Sequence, residues 1–531
     1  MFRQNANLIG GTVAILLLFL PLPLIVSGIG VDAQYILQVE NRPIAPLPWQ
    51  QRGARPAIQE YFSQLDRAFV DRMPWRGTLL PWKLSLDRDF GQRQIFGKAY
   101  RGSSNWYFFG DADGNLLGSI EQVEAAVAQT EYLITLARNR GKTMRVVVVP
   151  DKESIYPEYL SAYGVYRRGL FGASRNRMND LLNGITGPEL IHLDRLLSRV
   201  KASSPSQLLY WPDDTHFNTI GSALLVRSIV ESLQPGLWSD EEVIKVRVGK
   251  WQGDLSNLAG FRDAAVDKPI HAIVRRDVHQ IAEEWLGAQR NMETPVRYLM
   301  QAANGPGLVK GKTLIIHDSF IGNIRPQFAQ FFEDGTYVHS AHFQTAQLIS
   351  AFTAYDNIVL ESVERTFPII ALKILPVGAQ LNLPWLRALP AAWGPAPTEM
   401  SGIGRLEGMT VDGITVNPRR SPISLKRNSM LHVGGWAVDS GRRNAPREVL
   451  IRMRGRDTGE QLFLEAVRRP RPDVAQVFGN PKYLLSGFEL AANLPSDLRA
   501  GVYDFAVLQK AEARIVEFDP QISFILGAAL K

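Results

Sequence analysis

The chain is 531 residues long, with 45% hydrophobic and 21% charged residues, a net charge of +7 and no cysteine. That length accommodates two or three globular domains, and the missing thiols exclude a disulfide framework, thiolate zinc sites and a cysteine nucleophile. The positive charge is uneven: residues 400–531 hold 19 Lys and Arg against 14 Asp and Glu, a surface suited to an acidic polymer or lipid, while no nucleic-acid-binding module signature is present.

Residues 8–28 contain no charged side chain, and about 20 apolar residues suffice to cross a bilayer. Arg3 precedes the run, and Asp32 and Glu40 follow it. The expectation is a membrane anchor over residues 1–30 with its amino terminus inside and the remainder exported. Small residues at Val31 and Ala33 also fit a cleaved signal peptide. Residues 31–56 are proline-rich and predict an extended tether; residues 57–100 predict a helical segment, with Phe62, Leu65 and Phe69 at helix spacing.

Over residues 101–385 the pattern becomes alternating. Ser119 and Gln122 form a capping-box pair ahead of the helical period Val123, Val127, Leu133 and Ile134, and Gly141 supplies a left-handed stop. Val146–Val149 is a continuous apolar run, as expected of a parallel strand buried on both faces. Leu190–Leu193, Leu208–Tyr210, Leu314–Ile316 and Ile358–Leu360 repeat that signature with helical stretches between them, among them 219–233. This alternation predicts a doubly wound α/β sheet.

Two segments carry chemistry. The run Thr313 to Phe320 reads Thr-Leu-Ile-Ile-His-Asp-Ser-Phe, a strand that stops at Ser319, where open α/β sheets build their sites. About 100 residues earlier, Trp211 to Asn218 carries Asp214 and His216 two apart. A serine hydroxyl needs a base, and the base needs a carboxylate to fix its tautomer. Ser319, His216 and Asp214 are therefore the candidate nucleophile, base and orienting acid, with Asp213 as the alternative acid; Asp318 is expected to hold backbone amides. Asp213, Asp214, His216, His317 and Asp318 are also metal-ligand types, but their spacing matches no standard zinc motif, so the expected chemistry uses neither metal nor cofactor.

These blocks resemble the alginate O-acetyltransferase family of SGNH-hydrolase-like proteins (AlgX/AlgJ type), in which an Asp-x-His block precedes an Asp-Ser-Phe block, here Asp214-Thr-His216 and Asp318-Ser-Phe320. Glu40–Pro46, Asn105–Phe109, Val149–Pro157 and Ile358–Arg365 resemble four further family blocks in the same order. His317 and Phe217 depart from it, standing where the family often has Gly and Trp. The resemblance implies an SGNH-like catalytic domain and O-acetyl transfer to a secreted polysaccharide through an acetyl-serine. It also implies a multi-pass membrane O-acyltransferase as the acetyl supplier. Polysaccharide acetylesterase activity and a non-catalytic polymer-binding role are the alternatives.

Residues 386–415, rich in Pro, Gly and Ala, are expected to be a linker, and residues 416–531, with short strands between turn signals, an antiparallel β-sandwich similar in architecture to carbohydrate-binding modules. Further substrate-side candidates are Arg325 and His342 near the Ser319 block, Trp436 as a sugar-stacking or core residue, and Arg452 and Arg454 alternating on one strand face, which with Arg442, Arg443, Arg447 and Arg456 would line a basic groove. Arg365 is expected to pair with Glu361 or Glu364.

Overall fold

The computed structural model describes residues 98–110, 116–185, 187–259, 266–287, 289–303, 307–375, 384–394, 398–417, 422–443, 445, 448–511 and 514–527, with scattered positions between 44 and 96. The expected anchor and most of the tether and of the 57–100 segment lie outside these residues; within the last, Ile95–Phe96 and Ala99–Arg101 are strands, not helix. Among the described residues no helix is long and apolar enough to cross a membrane.

The α/β sheet has seven strands, labelled in chain order β1 (Thr143–Val149), β2 (Leu190–His192), β3 (Val278–Trp285), β4 (Val296–Ala302), β5 (Val309–His317), β6 (Phe332–His339) and β7 (Asn357–Val363), in the spatial order β2-β1-β7-β5-β6-β4-β3. The first five in that order are mutually parallel, and β4 and β3 extend the sheet antiparallel. The expected parallel sheet is thus a mixed one. Leu208–Tyr210 joins no ladder: Tyr210 makes one antiparallel bridge to Phe217, and the Leu209 amide donates to the Tyr156 hydroxyl at 2.9 Å. The Leu208 carbonyl accepts from the Asn218 side chain and the Leu209 carbonyl from the Asn218 amide, so no neighbouring strand is needed.

Continuous apolar strands follow from covering both faces. Val146, Val148, Leu314, Ile316, Ile358 and Leu360 enter one core, against Leu133 and Leu136 of the helix Ile120–Asn139. Val147, Val149, Ile315 and Val359 enter the other, against Leu225 and Ile229 of the helix Thr219–Leu233. The first helix starts at the predicted capping box, with both reciprocal Ser119–Gln122 bonds made, and Gly141 after it has φ +64°.

Every residue of that helix from Ala126 to Ala137 is buried. At 3.6 residues per turn such a run buries all sides. The far side is covered by the carboxy-terminal β region, whose Val449, Ile451, Leu462 and Phe505 belong to the same continuous core. Arg138 bridges Glu189 at 2.9 Å and Glu448 at 2.6 Å, and Arg140 pairs with buried Glu465.

The carboxy-terminal region consists of two mostly antiparallel sheets. Met430–Asp439, Glu448–Gly455, Gln461–Glu465, Gly487–Asn493 and Gly501–Ala511 are strands where short strands are expected. The linker expectation over 386–415 is corrected: Gly402–Val411 is a ten-residue strand paired along Met430–Asp439. Its glycines are what resembled a linker. They permit close approach, since a Cβ at Gly404 would run into the Trp436 carbonyl and one at Gly402 into the Glu517 backbone.

Candidate active site

The segment Trp211–Phe217 is a loop closed by the Tyr210–Phe217 bridge and ended by Asn218, whose side chain accepts from the amides of Ile220 and Gly221 at 3.0 Å and so caps the next helix. Within the loop, one oxygen of Asp214 accepts from the His216 amide at 2.9 Å and lies 2.9 Å from His216 Nδ1. The two-residue spacing has this physical meaning: a single carboxylate oxygen fixes both the backbone and the ring of the histidine. Nδ1 donates to the carboxylate, so Nε2 carries the lone pair. It faces Ser319 Oγ at 2.8 Å.

Ser319 opens the short helix Ser319–Gly322 directly beyond β5. Asp318 caps that turn, accepting from the Phe320 amide at 2.8 Å and, across to β7, from the Val363 amide at 2.7 Å. Buried Glu361 accepts from the Asp318 amide at 3.0 Å, and burial and the nearby Asp318 charge push its carboxyl well above the usual range. The turn bearing Ser319 is therefore tied to its neighbouring strand.

Burial opposes charge on Asp214, yet the hydrogen bonds and charge of His216 hold its pKa well below the ordinary carboxylate value. Burial likewise opposes protonation of His216, but the bond to Asp214 and the charges of Asp254, Asp214 and Asp318 outweigh it and raise its pKa.

Three residues that sequence reasoning missed complete the surroundings. Buried Lys152 donates from Nζ to the carbonyls of Trp211, Pro212 and Asp214 at 3.2, 3.1 and 2.7 Å. Asp254 lies 3.6 Å from His216 Nδ1 and accepts from the Thr215 amide at 2.6 Å. Trp251 donates from its indole to the second oxygen of Asp214 at 3.3 Å. Trp251 ends the strand Val243–Trp251, half of a hairpin with Val266–Ile273. Gly253, where the chain turns back, lies so close to the acid loop that a Cβ there would overlap the Asp213 carbonyl. The one available signal was Lys152 inside the Val149–Pro157 block.

A cleft of ≈ 620 Å³ opens over Ser319 and His216, its walls including Phe109, Trp211, Trp251, Leu258 and Met292. Asp214, His216 and Asp254 offer ligand atoms within 4.8 Å of one another, and the Asp214–His216 contact at 2.9 Å is equally that of an acid bracing a general base.

The remaining candidates are corrected or relocated. Asp213 pairs with Lys268 instead of His216. Arg325 is 5% exposed, gives its donors to the carbonyls of Thr294 and Asn291, and lies over the Trp285 ring; it pins a loop and offers no fork to a carboxylate. His342 is exposed and pairs with Glu293 at 3.2 Å, outside the cleft lining. Trp436 packs edge-on against Phe478 in the β region. Arg452 is bound bidentately by Glu517 and Arg456 by Asp504, so these two members of the expected basic groove are neutralised, while Arg454 beside them is exposed. Arg365 pairs with Asp151, not Glu361 or Glu364. His317 is buried, with Nδ1 donating to the Asp318 carbonyl at 2.7 Å, and burial lowers its pKa to about 3.

Residues 99–290 match the family model described as ALGX: SGNH hydrolase-like domain, acetyltransferase AlgX. The chain carries an AlgX-family acetyltransferase domain. The matched part of this AlgX-family domain includes Asp214, His216 and Lys152 and stops before Ser319. No curated protein sequence matches the chain. Among solved structures it is similar to PatB1 of Bacillus cereus, at 11% identity over 50% of this chain and 95% of that one, with a TM-score of 0.36. It is similar also to the O-acetyltransferase domain of Pseudomonas putida AlgJ, at 14% identity over 51% and 92%, TM-score 0.31. A DHHW family protein from Eubacterium siraeum DSM 15702 matches at 14% identity over 52% and 97%, TM-score 0.34.

Proposed function

We propose that the AlgX-family domain transfers acetyl groups to hydroxyls of a secreted, anionic polysaccharide through an acetyl-Ser319 intermediate. The observation that carries this reading is the continuous Asp214–His216–Ser319 hydrogen-bond chain at the floor of one cleft. In the first half-reaction Ser319 Oγ bonds to the carbonyl carbon of an acetyl ester. Its proton passes to His216 Nε2 and then to the leaving alkoxide. In the second, a sugar hydroxyl gives its proton to His216 and bonds to the acetyl carbon; Ser319 Oγ leaves and recovers the proton. Water in place of the sugar gives an esterase, and the balance depends on how well the occupied cleft excludes water. In this reading the Ser319 amide, at the start of its helical turn, and Asn323 in the same cleft supply donors for the developing oxyanion.

The uncharged run at residues 8–28 and the family resemblance support an inner-membrane anchor with the bulk of the chain in the periplasm. The resemblance alone supports a multi-pass membrane O-acyltransferase as acetyl supplier. The test of the central reading is a mass of +42 on the peptide bearing Ser319 after brief exposure of the full-length chain to p-nitrophenyl acetate, an increment given by the atoms of an acetyl group, about 42 Da. The label should discharge onto a mannuronate hexasaccharide. Label that stays on other residues in Ser319→Ala and wild type alike refutes it.

A further inference from the structure

Of the aromatic residues lining the cleft, Trp251 combines a fixed edge with an open face. Its indole N–H is committed to Asp214 at 3.3 Å, which sets the ring plane, yet 42% of the residue stays exposed. Among the described residues no ring and no cation packs on it. Trp211 differs, since Lys268 Nζ lies 5.0 Å over its ring. A tryptophan held by its edge with its face open presents a rigid, flat apolar surface to the cleft. The cleft holds Ser319 and His216 on the same wall system, with Gln252, Asn257 and Asn323 as amide groups around it. A flat apolar face in a cleft whose lining also carries amides and carboxylates fits an amphipathic ring: the C–H face of a pyranose lies on the indole and its hydroxyls reach these polar groups.

We propose that Trp251 is the stacking platform for the pyranose ring of the acetyl acceptor, and that it positions this ring beside the base because the same indole braces Asp214. This rests on the acetyl-transfer reading above. Stacking there brings a ring hydroxyl to the His216 side of Ser319. The proton and acyl movements are those already given, and no other reactant enters.

The test uses the full-length chain, p-nitrophenyl acetate as donor, and two acceptors, a mannuronate hexasaccharide and neutral cellohexaose, with acetylated sugar read by mass spectrometry. Trp251→Phe keeps a ring and removes the N–H; Trp251→Leu and Trp251→Ala remove both, leucine while keeping more bulk. All three should lose donor hydrolysis by a similar factor, because each leaves Asp214 without its indole donor. Only leucine and alanine should raise the KM for whichever hexasaccharide is acetylated, by at least about tenfold, while phenylalanine leaves that KM within about twofold. Equal KM values for the sugar in Phe and Ala variants, or an increase confined to the KM for p-nitrophenyl acetate, overturn the platform assignment while leaving acetyl transfer intact. Failure of the wild type to acetylate either hexasaccharide instead overturns the transfer reading, and the platform with it.

Discussion

Lys152 Nζ stands 2.7 Å from the main-chain oxygen of Asp214, and its other two donors go to the carbonyls of Trp211 and Pro212. An ammonium has three N–H donors, and all are spent on the loop that carries the acid and the base. Burial drags the Lys152 pKa down to about 7 against the pull of Asp254, Asp214 and Asp213. Replacing it by methionine keeps the stem and strands three carbonyls. Lys152→Met should lose about tenfold or more in kcat on an acetyl ester, because small misplacements of a relay are expensive. KM should change far less. A folded variant with wild-type kcat would remove the clamp from the explanation.

Ser319→Ala, His216→Ala and Asp214→Ala should each cost roughly 10³-fold or more in hydrolysis of p-nitrophenyl acetate. Members of one relay act as a unit, so Ser319→Ala/His216→Ala should be little worse than Ser319→Ala alone. Chelators should leave the wild type unaffected. Additive losses across the pair, or full activity in Ser319→Ala, contradict the covalent route.

The pH profile follows from His216. Its pKa is raised, with the bond to Asp214 and the charges of Asp254, Asp214 and Asp318 outweighing burial. A raised value means the ring keeps its proton to higher pH, and the proton-accepting form exists only above it. Activity should therefore fall as pH drops through a midpoint above the usual histidine value of about 6.5. Asp254→Asn removes one of the raising charges, so the acid limb should move to lower pH. A shift upward would show that Asp254 acts on the ring in some other way.

Gly253 touches the acid loop more closely than any side chain allows. Gly253→Ala should push the hairpin off Asp213, cost about 1–3 kcal/mol in stability as an overpacked contact does, and lower turnover by loosening Asp254 and Trp251 together. Thermal melts and ester hydrolysis on the same preparation check both halves.

Ser319, His216 and Asp214 stood out in the sequence because each announces itself locally: a serine ending an apolar strand, and an acid two residues before a histidine. Lys152, Trp251 and Asp254 did not, because their partners lie 37 to 62 residues away along the chain and no periodicity encodes such meetings. Arg325 shows the opposite failure. Its charge and position invited a carboxylate, but the Asn291 and Thr294 carbonyls that absorb it leave no mark in composition. The parallel strands were legible from burial on both faces. The edge strand Val278–Trp285, exposed along most of its length, carries neither an apolar run nor a clean alternation and was invisible.

The helix Ile120–Asn139 has no face of its own to show to water along its buried stretch. It is a shared structural wall, and the two regions it joins are expected to melt together. Calorimetry of the full-length chain should record one transition for residues 120–527 instead of two. A chain ending near residue 385 should be recovered only as aggregate, because it exposes Tyr132 and the other residues packed against Glu465 and its neighbours. The carboxy-terminal region would then act as the second half of one shared interior, which the α/β half cannot spare.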